Sequence, residues 1–227
     1  MLLEDAEQIS DGCLSYIISS LPPRRREKAE NYFFRRDRAN CAAAYALMRY
    51  MFMRFLGLNI NTDWQIGRNG KPQLSPSYPH LHFNISHCSR AVACALHSSE
   101  IGVDVQDCIS DISGISSLVL CERELKLLSA CGVPEDIFSR LWSIKESCVK
   151  CLGDGISDNL RKLDFSDLPS RGEKYNLQFY TQRLSGIYLS VCSPLLPRIN
   201  LIRLSPPSFL KLINVGKQSK PPVEPVV

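Results

Sequence analysis

The order of a helix, a hairpin and a short strand occurs twice along this chain of 227 residues. In the first pass, residues 24–56 carry apolar side chains at helical spacing, and strand patterns follow at Ala91–Leu96 and Ile101–Val105. The second pass contains two helical patterns, a hairpin and a final strand that mirrors Ile101–Val105, in that order: Cys121–Ala130, Pro134–Leu152, Tyr175–Tyr180 with Gly186–Cys192, and Asn200–Leu204. Although the two passes share no sequence identity, we predict an α+β fold of two pseudo-symmetric halves, each with helices packed on a small antiparallel β-sheet.

The boundary between the two halves is predicted at a polar, serine-containing connector, residues 108–116. The N-terminal half is then residues 1–107 and the C-terminal half residues 108–214. The last segment, residues 215–227, is rich in Pro, Lys and Ser, a composition typical of a disordered tail.

The overall composition favours a cytoplasmic protein. No apolar run approaches the roughly 20 residues needed to span a bilayer, and the acidic start MLLEDAEQIS lacks the layout of a signal peptide. The ten cysteines are therefore interpreted as reduced thiols that pack as small hydrophobes. Cys148 and Cys151 form a CxxC, but without a second pair or a nearby histidine it is a weak indication of zinc or redox chemistry.

The net charge of +4 is too small to indicate nucleic-acid binding, but its distribution is uneven. One early segment concentrates cationic side chains: Arg24, Arg25, Arg26, Lys28, Arg35, Arg36 and Arg38. This basic segment is either a solvated helix face or a surface for phosphates or an acidic partner protein.

Three polar motifs could carry chemistry. The first, residues 82–87 with the sequence HFNISH, ends in Ser86 and His87, whose hydroxyl and imidazole can both donate to a phosphate oxygen. The alternative is a capped turn before a strand.

The second motif is GVDVQ, residues 102–106. Strand alternation places Asp104 and Gln106 on one face and Val103 and Val105 on the apolar face. Two neighbouring oxygen ligands suit Mg²⁺, although a solvent-facing edge strand explains the pattern equally well.

The third motif is WSIKESCVK, residues 142–150, on the second long helix. Glu146 and Lys150 lie four residues apart, away from the apolar stripe of that helix. They form either a surface pair of small energetic value or a metal ligand and a phosphate-binding cation, with Lys145 as a second positive charge.

Taken together and in this order, the motifs FNISH, GVDV and WSIKES with its following lysine resemble those of the 4′-phosphopantetheinyl transferases. The resemblance is to the long, monomeric type that activates peptide, polyketide and fatty-acid synthases, and it extends from about Leu21 to about Leu204. It includes the basic first helix and the Gly70-Lys71-Pro72 segment.

The resemblance implies transfer of the phosphopantetheine arm of coenzyme A to a serine of an apo acyl or peptidyl carrier protein, with adenosine 3′,5′-bisphosphate as by-product. Asp104, Gln106 and Glu146 would hold Mg²⁺, and Lys150, with Lys145 nearby, would bind the pyrophosphate. Glu146 would be the base, directly or through a metal-bound water. Contacts to coenzyme A are implied for the remaining matched positions: Arg25, Lys28, Gly70, Lys71, Pro72, Ser86 and His87.

Two positions depart from the family pattern. Many members carry an acidic residue where this chain has Gln106, so we expect weaker Mg²⁺ binding, with a water as the possible replacement ligand. Cys41 falls where some members place a hydroxyl near the 3′-phosphate of coenzyme A, which puts that contact in doubt.

Two other functions stay open at this stage. Gln106 favours a catalytically silent homologue that binds coenzyme A or a carrier protein, whereas Asp104, Glu146 and Lys150 argue for an active enzyme. An unrelated metal-dependent phosphohydrolase would need a histidine or aspartate cluster, and the chain has only four histidines. The basic segment could also steer an acidic carrier protein toward the enzyme.

Overall fold

The computed structural model describes residues 1–58, 64–67, 70–153, 160–196 and 198–215. Contacts between residues divide the chain into two compact units, whose segments alternate along the sequence. The first comprises Met1–Asp63, Ser89–Cys94 and Leu201–Val227, and the second comprises Trp64–Cys88 and Ala95–Asn200. The predicted boundary between two halves at residue 107 stays a prediction, because the compact units group residues by contact and do not test a boundary along the sequence.

Seven helices and ten strands make up the described part of the chain. The helices, in chain order, are α1 (Asp11–Ser19), α2 (Pro23–Glu30), α3 (Arg35–Leu56), α4 (Ser116–Val119), α5 (Glu122–Ser129), α6 (Pro134–Leu152) and α7 (Pro206–Val215). The strands are β1 (Leu2–Glu4), β2 (Gln65–Ile66), β3 (Pro72–Gln73), β4 (His82–His87), β5 (Ala91–His97), β6 (Gly102–Asp107), β7 (Arg171–Lys174), β8 (Leu177–Leu184), β9 (Ile187–Ser193) and β10 (Arg203–Leu204). The predicted α+β class is therefore confirmed.

The first unit packs α1, α2, α3 and α7 around a short sheet. Strand β1 pairs antiparallel with the start of β5 and parallel with β10, and its Leu2 and Leu3 are fully buried. The helical pattern of residues 24–56 forms two helices, because the chain is interrupted between α2 and α3, and α3 is followed by Gly57 in the left-handed conformation (φ 64°).

The last strand differs from its prediction. Of the expected Asn200–Leu204 strand, β10 includes only Arg203 and Leu204, and these two residues lie beside β1 in the first unit. They do not mirror β6, which pairs antiparallel with β9. Leu204 is buried while Arg203 points outward to Glu4, so only one side chain of this pair contributes to the core.

The second unit is built on an antiparallel sheet in the order β6-β9-β8-β7, with α6 packed on it. The predicted hairpin is β8 and β9, joined by Ser185 and Gly186, which both have positive φ (46° and 84°) as a tight two-residue turn requires. Phe138, Leu141 and Ile144 of α6 are fully buried in the core of this unit.

Helix α6 touches β6 at Gly102. A Cβ atom on Gly102 would lie 1.9 Å from the backbone oxygen of Ser147 and 2.5 Å from the nitrogen of Cys151. Only glycine therefore permits this approach, which brings the polar face of α6 against the face of β6 that carries Asp104.

Several elements were not predicted from the sequence: α1, α4, α7, β1 to β3 and β7. Residue Val215 of the predicted tail ends α7, and residues 216–227 lie outside the described residues. Among the helices that the structure describes, none combines the length and apolarity of a membrane span.

Candidate active site

Three side chains from three elements of the second unit meet at Asp104. The Nζ atom of Lys150 on α6 donates to Asp104 Oδ1 at 2.6 Å, and the hydroxyl of Ser86 on β4 donates to the same oxygen at 2.8 Å. Lys150 also donates to Ser86 Oγ at 2.9 Å. The structure thus brings together one residue from each of the three predicted motifs, in a site that is largely shielded from water.

The fourth member, Glu146, lies one helical turn before Lys150 and is buried, with 6% of its surface exposed. Burial raises the pKa of the Glu146 carboxyl; the charge of Lys150 opposes this shift and that of Asp104 adds to it. The interpretation of Glu146 and Lys150 as a surface pair is wrong, because Glu146 is buried and Lys150 pairs with Asp104 across the helix–strand contact.

Two carboxylate oxygens of the site have unused hydrogen-bonding capacity. Glu146 Oε1 and Asp104 Oδ2 are buried and have no hydrogen-bond partner within the described ranges. A buried anionic oxygen without a partner is costly, so such atoms mark the place of a missing cation or donor. Both are hard oxygen donors of the kind that Mg²⁺ prefers.

Gln106 and His87 lie farther into solvent. Gln106 follows Asp104 on the same face of β6 and is partly buried, and its amide nitrogen donates to the carbonyl of Asp107 at 3.2 Å. Its side-chain oxygen is the atom that could face a cation. His87, the last residue of β4, is exposed.

Lys145 does not join the cluster. It is fully buried, and its Nζ donates to the carbonyls of Val119 (3.0 Å), Leu160 (2.8 Å) and Leu163 (2.7 Å) and pairs with the carboxylate of Glu124 at 2.7 Å. With four partners its donors are fully used. The expectation that Lys145 binds the pyrophosphate is therefore corrected: this lysine holds the surrounding segments to α6.

A second group of potential metal ligands surrounds Glu124, the carboxylate that pairs with Lys145. Ligand atoms of Cys121, Glu124 and Asp164 lie within 4.8 Å of one another. However, both oxygens of Glu124 are occupied: Oε1 accepts from the backbone nitrogen of Phe165, and Oε2 accepts from the backbone nitrogen of Cys121 and pairs with Lys145 Nζ. Asp164 pairs with Arg123. This group is a satisfied structural network and offers no support for a phosphohydrolase.

Gly70 and Lys71 come directly before β3, whose first residue is Pro72. Gly70 has a positive φ of 81°, and the backbone nitrogen of Gly67 donates to the carbonyl of Lys71. Lys71 Nζ is held by Glu100 (2.6 Å) and by the carbonyl of Cys151 (3.0 Å), the residue after Lys150. A cavity of about 210 Å³ lies beside β3, lined by side chains that include Lys71, Pro72 and Tyr78.

Arg25 and Lys28 lie on α2 in the first unit. The Arg25 guanidinium stacks over the ring of Tyr45 at 4.4 Å, and Lys28 is exposed. Burial raises the pKa of the Cys41 thiol, and the charges of Lys28 and Arg25 oppose that shift. The two predicted cations therefore lie close to Cys41, the position that departs from the family pattern.

Comparison with known proteins agrees with this arrangement. The family model described as the 4′-phosphopantetheinyl transferase superfamily matches residues 100–191. The model of the 4′-phosphopantetheinyl transferase N-terminal region matches residues 9–99. The chain belongs to the 4′-phosphopantetheinyl transferase superfamily. Asp104, Glu146 and Lys150 fall in the first match, and Ser86 falls in the second.

Named relatives come from bacteria and animals. The chain is 32% identical over 143 residues to the 4′-phosphopantetheinyl transferase Sfp of Bacillus subtilis (strain 168), a match of 62% of this chain and 63% of the relative. It is 26% identical to the transferase HetI of Nostoc, over 71% of both chains. It is 27% identical to the human L-aminoadipate-semialdehyde dehydrogenase-phosphopantetheinyl transferase, over 67% of this chain and 54% of the relative. The matches to Sfp and to the human protein thus span less than two thirds of those relatives.

Two features of the site were not predicted from the sequence. One is the buried Glu124–Lys145 pair, whose partners are backbone carbonyls contributed by distant segments. The other is Asn84, the second residue of FNISH, whose side-chain oxygen accepts from the backbone nitrogen of Val103 on β6.

Proposed function

We propose that this protein transfers the 4′-phosphopantetheine arm of coenzyme A to a serine of an apo acyl or peptidyl carrier protein, in a Mg²⁺-dependent reaction that releases adenosine 3′,5′-bisphosphate. The observation that carries the proposal is the buried site beside Lys150, in which Asp104 and Glu146 each keep an oxygen without a hydrogen-bond partner among the described residues. The monomeric state and the cytoplasmic location stay predictions from the sequence.

The donor set of the site suits Mg²⁺. Asp104 and Glu146 would hold the ion through their unpartnered oxygens, and Gln106 would offer its neutral side-chain oxygen. When bound, the ion would neutralise negative charge on the pyrophosphate of coenzyme A. Because Gln106 contributes no charge, we expect weaker Mg²⁺ binding than in the Gln106→Glu variant, which a Mg²⁺ titration of the two proteins would check.

Lys150 would supply a cation for the pyrophosphate. Its side chain is 28% exposed and already lies in the polar cluster, so a substrate oxygen could take up its remaining donor. Phosphoryl transfer depends mainly on positioning and on neutralising the charge that spreads over the phosphate oxygens. Ser86 holds Lys150 and Asp104 in register for that task.

Glu146 is the side chain that we assign as base. The carrier serine oxygen attacks the phosphorus atom that bears the pantetheine arm, and Glu146 takes the serine proton. The bond between that phosphorus and the bridging pyrophosphate oxygen breaks, and this oxygen leaves with its electron pair on adenosine 3′,5′-bisphosphate. Burial raises the pKa of the Glu146 carboxyl, which is the direction that strengthens it as a base.

Binding of the rest of coenzyme A is proposed for the matched residues outside the cluster. Lys71 and Pro72 line the cavity beside β3, with Gly70 just before them in the chain, and His87 is exposed at the end of β4. Arg25 and Lys28 would bind the 3′-phosphate, with the thiol of Cys41 in place of a hydroxyl.

The basic segment divides into anchored and available cations. Arg35 donates to Asp11 and to the carbonyls of Glu7 and Ile9, so it holds α3 to the start of the chain. Arg36 is exposed, and its one ion pair among the described residues is with its neighbour Asp37 at 3.7 Å. Of these two arginines, Arg36 is therefore the one proposed to attract an acidic carrier protein.

The proposal is tested by incubating the protein with coenzyme A, Mg²⁺ and a panel of apo carrier proteins, and recording the intact mass of each carrier. We expect the mass of at least one carrier to rise by that of the phosphopantetheine arm. Glu146→Gln should slow the transfer by about 10²- to 10⁴-fold while leaving the protein folded.

The alternative, a silent module that binds coenzyme A or a carrier protein, is favoured only by Gln106. It would be supported if no carrier gained mass although calorimetry showed that the protein binds coenzyme A.

A further inference from the structure

Strand β6, which carries Asp104, is the edge strand of its sheet, and its outer edge is hydrogen-bonded to side chains of β4. Among the strands that the structure describes, β9 is the one that pairs with β6, along one of its two edges. On the other side, the backbone nitrogens of Val103 and Val105 donate to side chains of β4: to Asn84 Oδ1 at 2.9 Å and to Ser86 Oγ at 3.3 Å. Side-chain oxygens thus take the place of the backbone oxygens of a neighbouring strand.

The spacing of the two strands explains why this works. Asn84 and Ser86 are two residues apart on β4 and lie on one face, with 4% and 6% of their surfaces exposed. Val103 and Val105 are also two apart, so their N–H groups point to the same side of β6. The two acceptors therefore match the two donors that flank Asp104.

The two side chains have different tasks. The Ser86 hydroxyl donates to Asp104 and accepts from Lys150 Nζ and from the backbone nitrogen of Val105. Its one donor and both acceptor positions are therefore used. Asn84 Oδ1 accepts from the Val103 backbone, and no hydrogen bond from Asn84 to Asp104 or Lys150 is found among the residues that the structure describes. The shortest route from Asn84 to the site is through the backbone of Val103 to Asp104, the next residue of β6.

We propose that Asn84 is a positioning residue for the metal-binding carboxylate: by bonding Val103 it fixes β6 so that Asp104 faces Glu146 and Lys150. This inference rests on the proposed function for its consequence in catalysis, but its effect on cation binding can be measured without it. Loss of the acceptor would leave the buried N–H of Val103 without a partner and let the edge of β6 move. Partners that orient a metal ligand in this way typically affect metal affinity by about 10- to 100-fold.

The test compares the Mn²⁺ affinity of three variants with that of the parent. Binding is measured in the presence of coenzyme A from the electron paramagnetic resonance signal of free Mn²⁺. Asn84→Leu has a similar shape but no acceptor, and we expect it to weaken Mn²⁺ binding about tenfold. Asn84→Asp keeps an acceptor for Val103 and should restore binding at least in part. Gln178→Met is the matched control. Gln178 lies on β8, which does not pair with β6 among the described strands, and its side-chain oxygen also accepts from a backbone nitrogen, that of Leu196, at 2.7 Å.

Each outcome bears on the proposal. Weaker Mn²⁺ binding in Asn84→Leu, with near-parental binding in Gln178→Met at equal thermal stability, supports it. Unchanged Mn²⁺ binding in Asn84→Leu, or an equal loss in Gln178→Met, overturns it. If the parent binds Mn²⁺ but modifies no carrier protein, the proposed function fails while the positioning role of Asn84 is still decided by these measurements.

Discussion

At the scale of single residues, two lysines five positions apart on α6 have opposite surroundings. Lys145 is fully buried against Glu124 and three carbonyls, whereas Lys150 is partly exposed beside Asp104. Removing one partner of a buried ion pair typically costs about 3–5 kcal/mol, because the other charge is left without compensation. Lys145→Met should therefore lower the free energy of unfolding, measured by urea denaturation, by about that amount.

Lys150→Met should show the reverse pattern. We expect a smaller loss in the free energy of unfolding than in Lys145→Met, because Lys150 is partly exposed and Ser86 still donates to Asp104 when the lysine is removed. The transfer rate should fall by about 10²- to 10³-fold, as is usual for loss of one charge-stabilising donor. Adding Glu124→Gln to Lys145→Met should recover part of the lost stability, because the uncompensated carboxylate is removed while an acceptor for Phe165 is kept. An equal stability loss in Lys145→Met and Lys150→Met would contradict this division of roles.

At the scale of elements, the site depends on the close contact between β6 and α6. In Gly102→Ala the new methyl group would lie 1.9 Å from the carbonyl oxygen of Ser147, a backbone atom that cannot turn aside. We expect a loss of about 1–3 kcal/mol from overpacking, together with a strong loss of transfer activity, as Asp104 separates from Lys150. Thermal unfolding and a carrier-modification assay would measure the two effects.

Gly132→Ala is the matched control for that change, because a Cβ atom there would meet nothing within 4 Å. It should leave both stability and activity near the parent. Near-parental activity in Gly102→Ala would show that the helix–strand contact does not position the site.

The elements also show what the sequence could and could not predict. The bounds of α6 follow from local signals, Pro134 in the first turn and Gly153 in the left-handed conformation at the end, and were predicted correctly. Strand β1 has only three residues and owes its conformation to partners near residues 91 and 203, so no local pattern indicates it. Lys145 was misassigned for the same reason, since its partners come from segments distant in sequence.

At the scale of the whole molecule, the charge of the basic segment should act on encounter with the carrier protein. Arg36 lies at the start of α3 and is exposed, whereas Arg54 lies about 27 Å away along the same helix at a rise of ~1.5 Å per residue. If the carrier approaches the basic segment with an acidic surface, the sign of the charge at Arg36 affects the rate of association more than the chemistry that follows.

Arg36→Glu should therefore raise the KM for the carrier about fivefold at low ionic strength, the equivalent of about 1 kcal/mol, with kcat and the KM for coenzyme A near the parent. Steady-state kinetics at two salt concentrations would measure this, and the difference should shrink at ~1 M salt, where charges are screened within about 3 Å. Arg54→Glu makes the same reversal at the far end of the helix and should change little. If Arg54→Glu raised the carrier KM as much as Arg36→Glu, the effect would be one of net charge. If Arg36→Glu raised the KM for coenzyme A equally, the basic segment would serve the nucleotide instead of the carrier.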